Sequence, residues 1–256
     1  MRFRDLVDWN VYWLLFIVAE FSLLAALPYS ITITGDAIYD LGVSLPTVLA
    51  TQFAQATVLF LVSIFTGLYL GKRTGLGTPV LDSLFRTRNL PANYGSVLKL
   101  SVFLGILVSF IIFILDRFVF SIFSEPLTVH LMTPPLWERF LYSFYTGFVE
   151  EVVLRFFLMT LLVWISWKIK RTSQGLPTSA GVWMAILIVS FIYGLGYLSS
   201  SLSASMEQVQ MIAILLFNAL AGIAFGWLYW KKGLEAAIIA NLTSSLMIFV
   251  VLGSLL

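Results

Sequence analysis

The run FYTGFVEEVVLRFFLMT, residues 144–160, sets two adjacent carboxylates and one guanidinium inside an otherwise apolar segment. A charged side chain near the middle of a bilayer costs at least about 2.5 kcal/mol, so such groups face a polar cavity or pair with one another, and function is the default expectation. Glu151 and Arg155 stand four positions apart, on one helix face a turn from each other, with the acid N-terminal to the base as helical pairs prefer. Glu150 lies about 100° around the helix from Glu151 and is the less neutralised carboxylate. Held near neutrality in a water-poor cavity, it is a candidate general base. The competing reading is a buried Glu151–Arg155 ion pair that fixes helix packing, with Glu150 protonated and silent.

The elements that position these groups are membrane helices. Of 256 residues, 60% are apolar and only 11% charged, against roughly 25% charged in an average soluble domain. Chain of this length supplies about seven spans of some 20 residues with short loops, giving an all-α, polytopic transmembrane bundle. The expected division is 1–135 for N-terminal transmembrane helices and 136–252 for the core around the acid pair, in one integrated membrane domain. The net charge is +2, and the basic residues form no run with interleaved aromatics, so nucleic acid is not an expected partner. The absence of cysteine removes disulfides, thiolate metal sites and cysteine nucleophiles together. One histidine, His130, cannot build a multi-histidine metal site. No cofactor and no metal are expected. His130 sits in a loop beside prolines and reads as solvated.

Hydropathy places spans at about 11–27, 46–70, 96–115, 136–167, 180–198, 208–230 and 234 onward, with 118–123 extending the third. A loop is expected at 28–45, and a serine-rich turn at 199–205. Glu20, inside the first span, reads as structural. Residues 79–85 have apolar positions at helical spacing and suit the membrane surface. The fourth span is too long for one crossing, so its aromatic start, 137–145, is expected at the interface. Gly222 and Gly226 form a GxxxG pair that lets another helix approach closely. With the N-terminus in the cytoplasm, Arg2, Arg4, Lys72, Arg73, Arg86, Arg88, Lys99, Lys168, Lys170, Arg171, Lys231 and Lys232 fall on one side, leaving Arg117 and Arg139 opposite. That is the alternation the positive-inside rule requires, and it suits a multi-pass protein of a prokaryotic plasma membrane.

The acid-pair segment resembles the first motif, EExxxR, of the CAAX prenyl protease and bacteriocin-processing (CPBP) family of intramembrane glutamate proteases. SFIYGLGYL, residues 190–198, is similar to that family's second motif, an aromatic followed four residues later by histidine. FGWLYWKKGLEAAIIANLTSSL, residues 225–246, resembles the approach to the third, a histidine followed four residues later by Asn or Asp. The resemblance spans about the last 45% of the chain. It implies that the first glutamate activates water with help from the second-motif histidine, while the third-motif pair holds an oxyanion. Carried over, Glu150, Glu151 and Arg155 match the first motif, and Tyr193 matches the aromatic. Tyr197 and Asn241 stand where the two histidines would be, and Ser245 where the final Asn or Asp would be.

Tyrosine, with an ordinary pKa near 10, donates a hydrogen bond but accepts a proton poorly at neutrality. Asparagine still donates, and losing one oxyanion donor costs about 100- to 1000-fold. The departure therefore bears most on water activation. Two functions follow as expectations. One is an intramembrane endopeptidase acting on a membrane-embedded or lipidated peptide, with Glu150 as base, Tyr197 and Asn241 as donors to the scissile carbonyl, and Arg155 orienting Glu151. The other is an inactive pseudoprotease that binds a membrane peptide, a lipid or a partner membrane subunit, its polar residues forming a closed network. A small transporter or proton pathway fits less well, since the chain shows no inverted repeats.

Overall fold

A computed structural model describes residues 6–40, 42, 44–127, 133–201 and 208–254. Among the described residues eight helical elements are named in chain order: α1 (Trp9–Asp40), α2 (Leu45–Thr74), α3 (Pro79–Thr87), α4 (Tyr94–Ile114, prolonged through Ile122), α5 (136–169), α6 (Ser179–Ser201), α7 (Gln208–Lys232) and α8 (Leu234–Leu246, prolonged through Ser254). There is no strand among the described residues, only an isolated bridge between Arg171 and Pro177. Among the described residues six helices are long and apolar enough to cross a membrane, and they coincide with six of the seven expected spans. The remaining expected span is α5, the helix bearing the charged trio. It runs through the middle of the bundle, packed on α1, α2, α6 and α8.

α5 is not uniform. It is α-helical over Leu136–Phe144 and Thr160–Ile169, and π-helical over Tyr145–Val149 and Glu151–Met159. Wide turns of this kind concentrate at functional sites, and here they flank and contain Glu150, Glu151 and Arg155. Trp137, Phe140 and Phe144 near its start are exposed, while Glu138, Arg139 and Ser143 are buried.

The loop expected at 28–45 is mostly helix, because α1 continues through Pro28 to Asp40. An internal proline costs about 3 kcal/mol by losing its N–H and crowding the carbonyl a turn earlier. Two contacts offset that cost. Tyr29 stacks on Tyr142 of α5 with centroids 4.1 Å apart, and Thr32 Oγ1 donates to Glu138 Oε2 at 2.7 Å. In an apolar surrounding, unwinding would also strand backbone N–H and C=O groups without partners. The third span extends as expected, helical to Ile122. Residues 79–85 fall within α3, a short helix with Leu84 and Phe85 exposed. His130 and most of the serine-rich turn lie outside the described residues.

Close approach replaces hydrophobic driving force where lipid is the solvent. At Gly222 of the GxxxG pair an added Cβ would lie 2.6 Å from Ser190 Cβ of α6, and at Gly226 it would lie 3.2 Å from Ile186. Gly147 does the same for the site. A Cβ there would lie 2.6 Å from Leu242 Cα, so α5 and α8 meet backbone to backbone beside Asn241.

Candidate functional site

Four helices converge on the charged trio, and the two carboxylates divide between two sets of partners. Glu151 points toward α8. Its Oε1 lies 3.1 Å from Arg155 Nη1, one turn along α5, and accepts from Asn241 Nδ2 at 2.9 Å. Both side chains are sealed from solvent and lipid, Glu151 at 0% exposure and Arg155 at 1%. The guanidinium also sits over the Tyr193 ring, 5.4 Å from its centroid, and 6.0 Å from that of Phe225. A cation held against two aromatic faces and one carboxylate needs less water.

Asn241 has two N–H donors and spends both. One goes to Glu151, the other to the Thr146 carbonyl oxygen at 3.0 Å. Its own Oδ1 faces the Ser245 hydroxyl at 3.5 Å, and Ser245 Oγ accepts from Thr146 Oγ1 at 2.7 Å. Asn241, Ser245 and Thr146 are all buried. They make a polar seam between α5 and α8 that holds Glu151 from behind.

Glu150 points the other way, toward α6. Tyr197 Oη donates to its Oε1 at 2.6 Å, and Tyr193 Oη donates to its Oε2. The two phenols are four residues apart on α6, their rings edge to face with centroids 5.2 Å apart. Each carboxylate oxygen thus receives one phenolic proton. A cavity of about 410 Å³ lies in front of this group, lined by Ala56, Leu59 and Phe60 of α2, by Tyr142, Tyr145, Val149 and Glu150 of α5, and by Ile192, Tyr193, Gly196 and Tyr197 of α6. Leu59, Ile192 and Gly196 of the lining are also exposed, so the cavity reaches the surface of α2 and α6, two of the helices long and apolar enough to cross a membrane.

All six residues expected in the site, Glu150, Glu151, Arg155, Tyr197, Asn241 and Ser245, therefore stand in one region, but in two linked groups. Tyr197 reaches Glu150 and not Glu151. Asn241 reaches Glu151, and Ser245 reaches only Asn241 and Thr146 among these contacts. Two residues with direct roles in the geometry were not singled out as donors from the sequence. Tyr193 precedes Tyr197 by one turn, a spacing that already places both hydroxyls on one face. Thr146 carries no comparable signal, since a threonine in a membrane helix ordinarily bonds its own backbone.

The chemistry available is that of acceptors. An ionised carboxylate has about four lone-pair positions and two are taken here, while each phenolic oxygen keeps lone pairs of its own. Three of the donors are turned inward: the Tyr193 and Tyr197 phenols toward Glu150, and both Asn241 protons toward α5. A ligand in the cavity meets aromatic walls and an acceptor-rich floor, the complement of an apolar chain bearing N–H groups.

Residues 132–247 match the family model described as Type II CAAX prenyl endopeptidase Rce1-like. That segment contains α5 to α8 up to the start of the α8 extension, and with it every residue of both polar groups. No curated protein and no solved structure gives a match.

Proposed function

We propose, for this multi-pass membrane protein with an Rce1-like core of the CPBP family, that the chamber before Glu150 binds an apolar, N–H-bearing segment of a membrane-embedded or lipidated peptide and holds it without cutting. One observation carries the reading: Tyr193, Tyr197 and Asn241, the donors that stand at or beside the motif positions, all donate within the protein. Hydrolysis of an amide needs a base for water and donors aimed at the developing oxyanion, at about 2.7–3.1 Å from where that oxygen will lie. Here Tyr193 and Tyr197 donate to the would-be base itself, and Asn241 donates to Glu151 and the Thr146 carbonyl. The seam behind Glu151 then works as a rigid support, and the Glu150–tyrosine group as the recognition surface. The plasma membrane of a prokaryotic cell is the setting that the charge asymmetry of the chain suits, and a partner membrane subunit is a further source of such a peptide.

A second reading is supported by the position of Glu150 itself, on the wall of a cavity large enough for both a peptide and water. If a substrate carbonyl drew one phenol off the carboxylate, that phenol would become an oxyanion donor and the freed oxygen would face water. This is the endopeptidase reading, with glutamate as the sole base.

Gly196 gives a direct test of the binding site. It lines the opening, and an added Cβ there meets nothing within 4 Å. Gly196→Leu therefore starts its side chain in open space beside the cavity. A fluorescent transmembrane or lipidated peptide bound by the parent in nanodiscs is expected to bind Gly196→Leu at least about tenfold more weakly, with thermal stability unchanged. Equal binding by the two proteins rules out this chamber as the site.

A further inference from the structure

At the opposite end of the bundle from the Tyr197 opening, the ends of α2 and α7 and the starts of α3, α4 and α8 surround a second cleft of about 460 Å³. Its frame is backbone held rigid by close approach. Gly77 carbonyl oxygen accepts from Leu234 N at 2.9 Å, and Gly233, with φ of 95°, packs so that an added Cβ would lie 2.5 Å from Pro79 Cγ. Glu235 of α8 caps α3 by accepting from Leu81 N at 2.8 Å. That capped N-terminus is already occupied by a carboxylate.

Lys72, Lys231 and Lys232 line this cleft. The Lys72 ammonium donates to the Leu6 carbonyl at 3.3 Å, and the Lys231 ammonium sits 3.6 Å above the Trp230 ring, which also lines the cleft. Two carboxylates oppose them: Asp82 on the lining, and Glu235 behind it, engaged with α3. Asp82 is half-buried, and that burial pushes its carboxyl pKa up, with the neighbouring Arg86 acting against it. A second observation points to a ligand. Thr78 lines the same cleft, is 1% exposed, and its hydroxyl has no hydrogen-bond partner among the described residues. Leaving a buried hydroxyl unpaired costs about 1–3 kcal/mol.

Just outside, α3 presents Leu84 and Phe85 on its exposed side, flanked by Arg86 and Arg88. Apolar and cationic residues together on a short helix suit the headgroup layer. This end also carries Lys168 and Arg171, the side that the positive-inside rule assigns to the cytoplasm and its anionic leaflet. From these observations we infer that the cleft is a phosphate-group site, in which Lys231, Lys232 and the Thr78 hydroxyl hold the phosphate of an anionic ligand at the membrane surface. The phosphate is either the headgroup of an anionic phospholipid or a free phosphate ester. Both have the same chemistry toward ammonium and hydroxyl donors.

The test uses the purified full chain in nanodiscs. In one arm, phosphatidylcholine discs contain increasing phosphatidylglycerol, and native mass spectrometry counts the anionic lipid retained per chain. In the other, pure phosphatidylcholine discs are titrated with glycerol phosphate. The parent is expected to saturate, in the first arm alone if the source is lipid and in both if free phosphate esters also bind. Lys231→Gln with Lys232→Gln should weaken that binding about tenfold or more. Thr78→Val should weaken it about tenfold while leaving the melting temperature unchanged or higher, since it removes a hydroxyl that has no partner in the protein. Arg86→Gln with Arg88→Gln, outside the cleft, should leave the saturable affinity within about twofold. Absence of saturation in both arms, or equal binding by the parent and the double lysine variant, overturns the inference.

Discussion

Replacing Arg155 by methionine keeps the stem of the side chain and removes its charge. Glu151 would then be a carboxylate at 0% exposure whose Oε1 keeps only the Asn241 bond, and whose Oε2 has no hydrogen-bond partner among the described residues. Breaking a buried pair by removing one partner costs about 3–5 kcal/mol, because the remaining charge stays desolvated and uncompensated. The loss of the guanidinium from the Tyr193 and Phe225 rings adds to this in the same direction. At about 2–4 °C per kcal/mol for a chain of this size, the melting temperature of Arg155→Met should fall by about 6–20 °C. The companion variant carries Glu151→Gln as well. The amide so introduced is neutral and still accepts from Asn241, so most of the lost stability should return, since exchanging a buried pair for neutral groups is often neutral or stabilising. Thermal unfolding in detergent, followed by the fluorescence of the eight tryptophans, measures both. If Arg155→Met melts within about 1 kcal/mol of the parent, or the double variant is as unstable as the single one, the pair is not the support of the site.

Three further outcomes follow from the same geometry. Tyr193→Phe and Tyr197→Phe each remove one hydrogen bond to Glu150 and should each cost about 1.5–3 kcal/mol in unfolding experiments; no change in either would show that the phenols do not hold the carboxylate. Gly147→Val forces a side chain against the Leu242 backbone of α8, and should cost more than about 1–3 kcal/mol and separate Asn241 from Thr146; a parent-like melting temperature would contradict the close α5–α8 contact. Because the chain has no cysteine, single cysteines report topology: in intact cells an impermeant maleimide should label Pro126→Cys but not Leu90→Cys or Gln174→Cys, and the reverse pattern would invert the bundle.

The apolar runs of six helices were plain in the sequence because lipid-facing and core-facing positions are both hydrophobic, so length and hydropathy suffice. The ion pair was also legible, since Glu151 and Arg155 at four residues apart can meet on almost any helical winding, and they do so at 3.1 Å. Tyr197, Asn241 and Ser245 became visible only through their resemblance to a motif. Spacing along separate helices says nothing about which acid each will reach. That Tyr197 serves Glu150 while Asn241 serves Glu151 depends on the π turns of α5 and on the backbone contact at Gly147, and both are set by packing among distant segments. The continuation of α1 through Pro28 was illegible for the same kind of reason. Local preference argues for a break there, and the contacts that override it, with Tyr142 and Glu138, come from more than 100 residues away.

Under the proposed function Glu150, each of its oxygens accepting from a phenol, recognises a membrane peptide and does not activate water against it. The most direct measurement is product formation by the purified parent and by Glu150→Gln, in nanodiscs, against lipidated and transmembrane reporter peptides that the parent binds. Bound peptide should be recovered intact from both proteins, with no product dependent on Glu150. Cleavage by the parent that disappears in Glu150→Gln would contradict it and establish the endopeptidase reading.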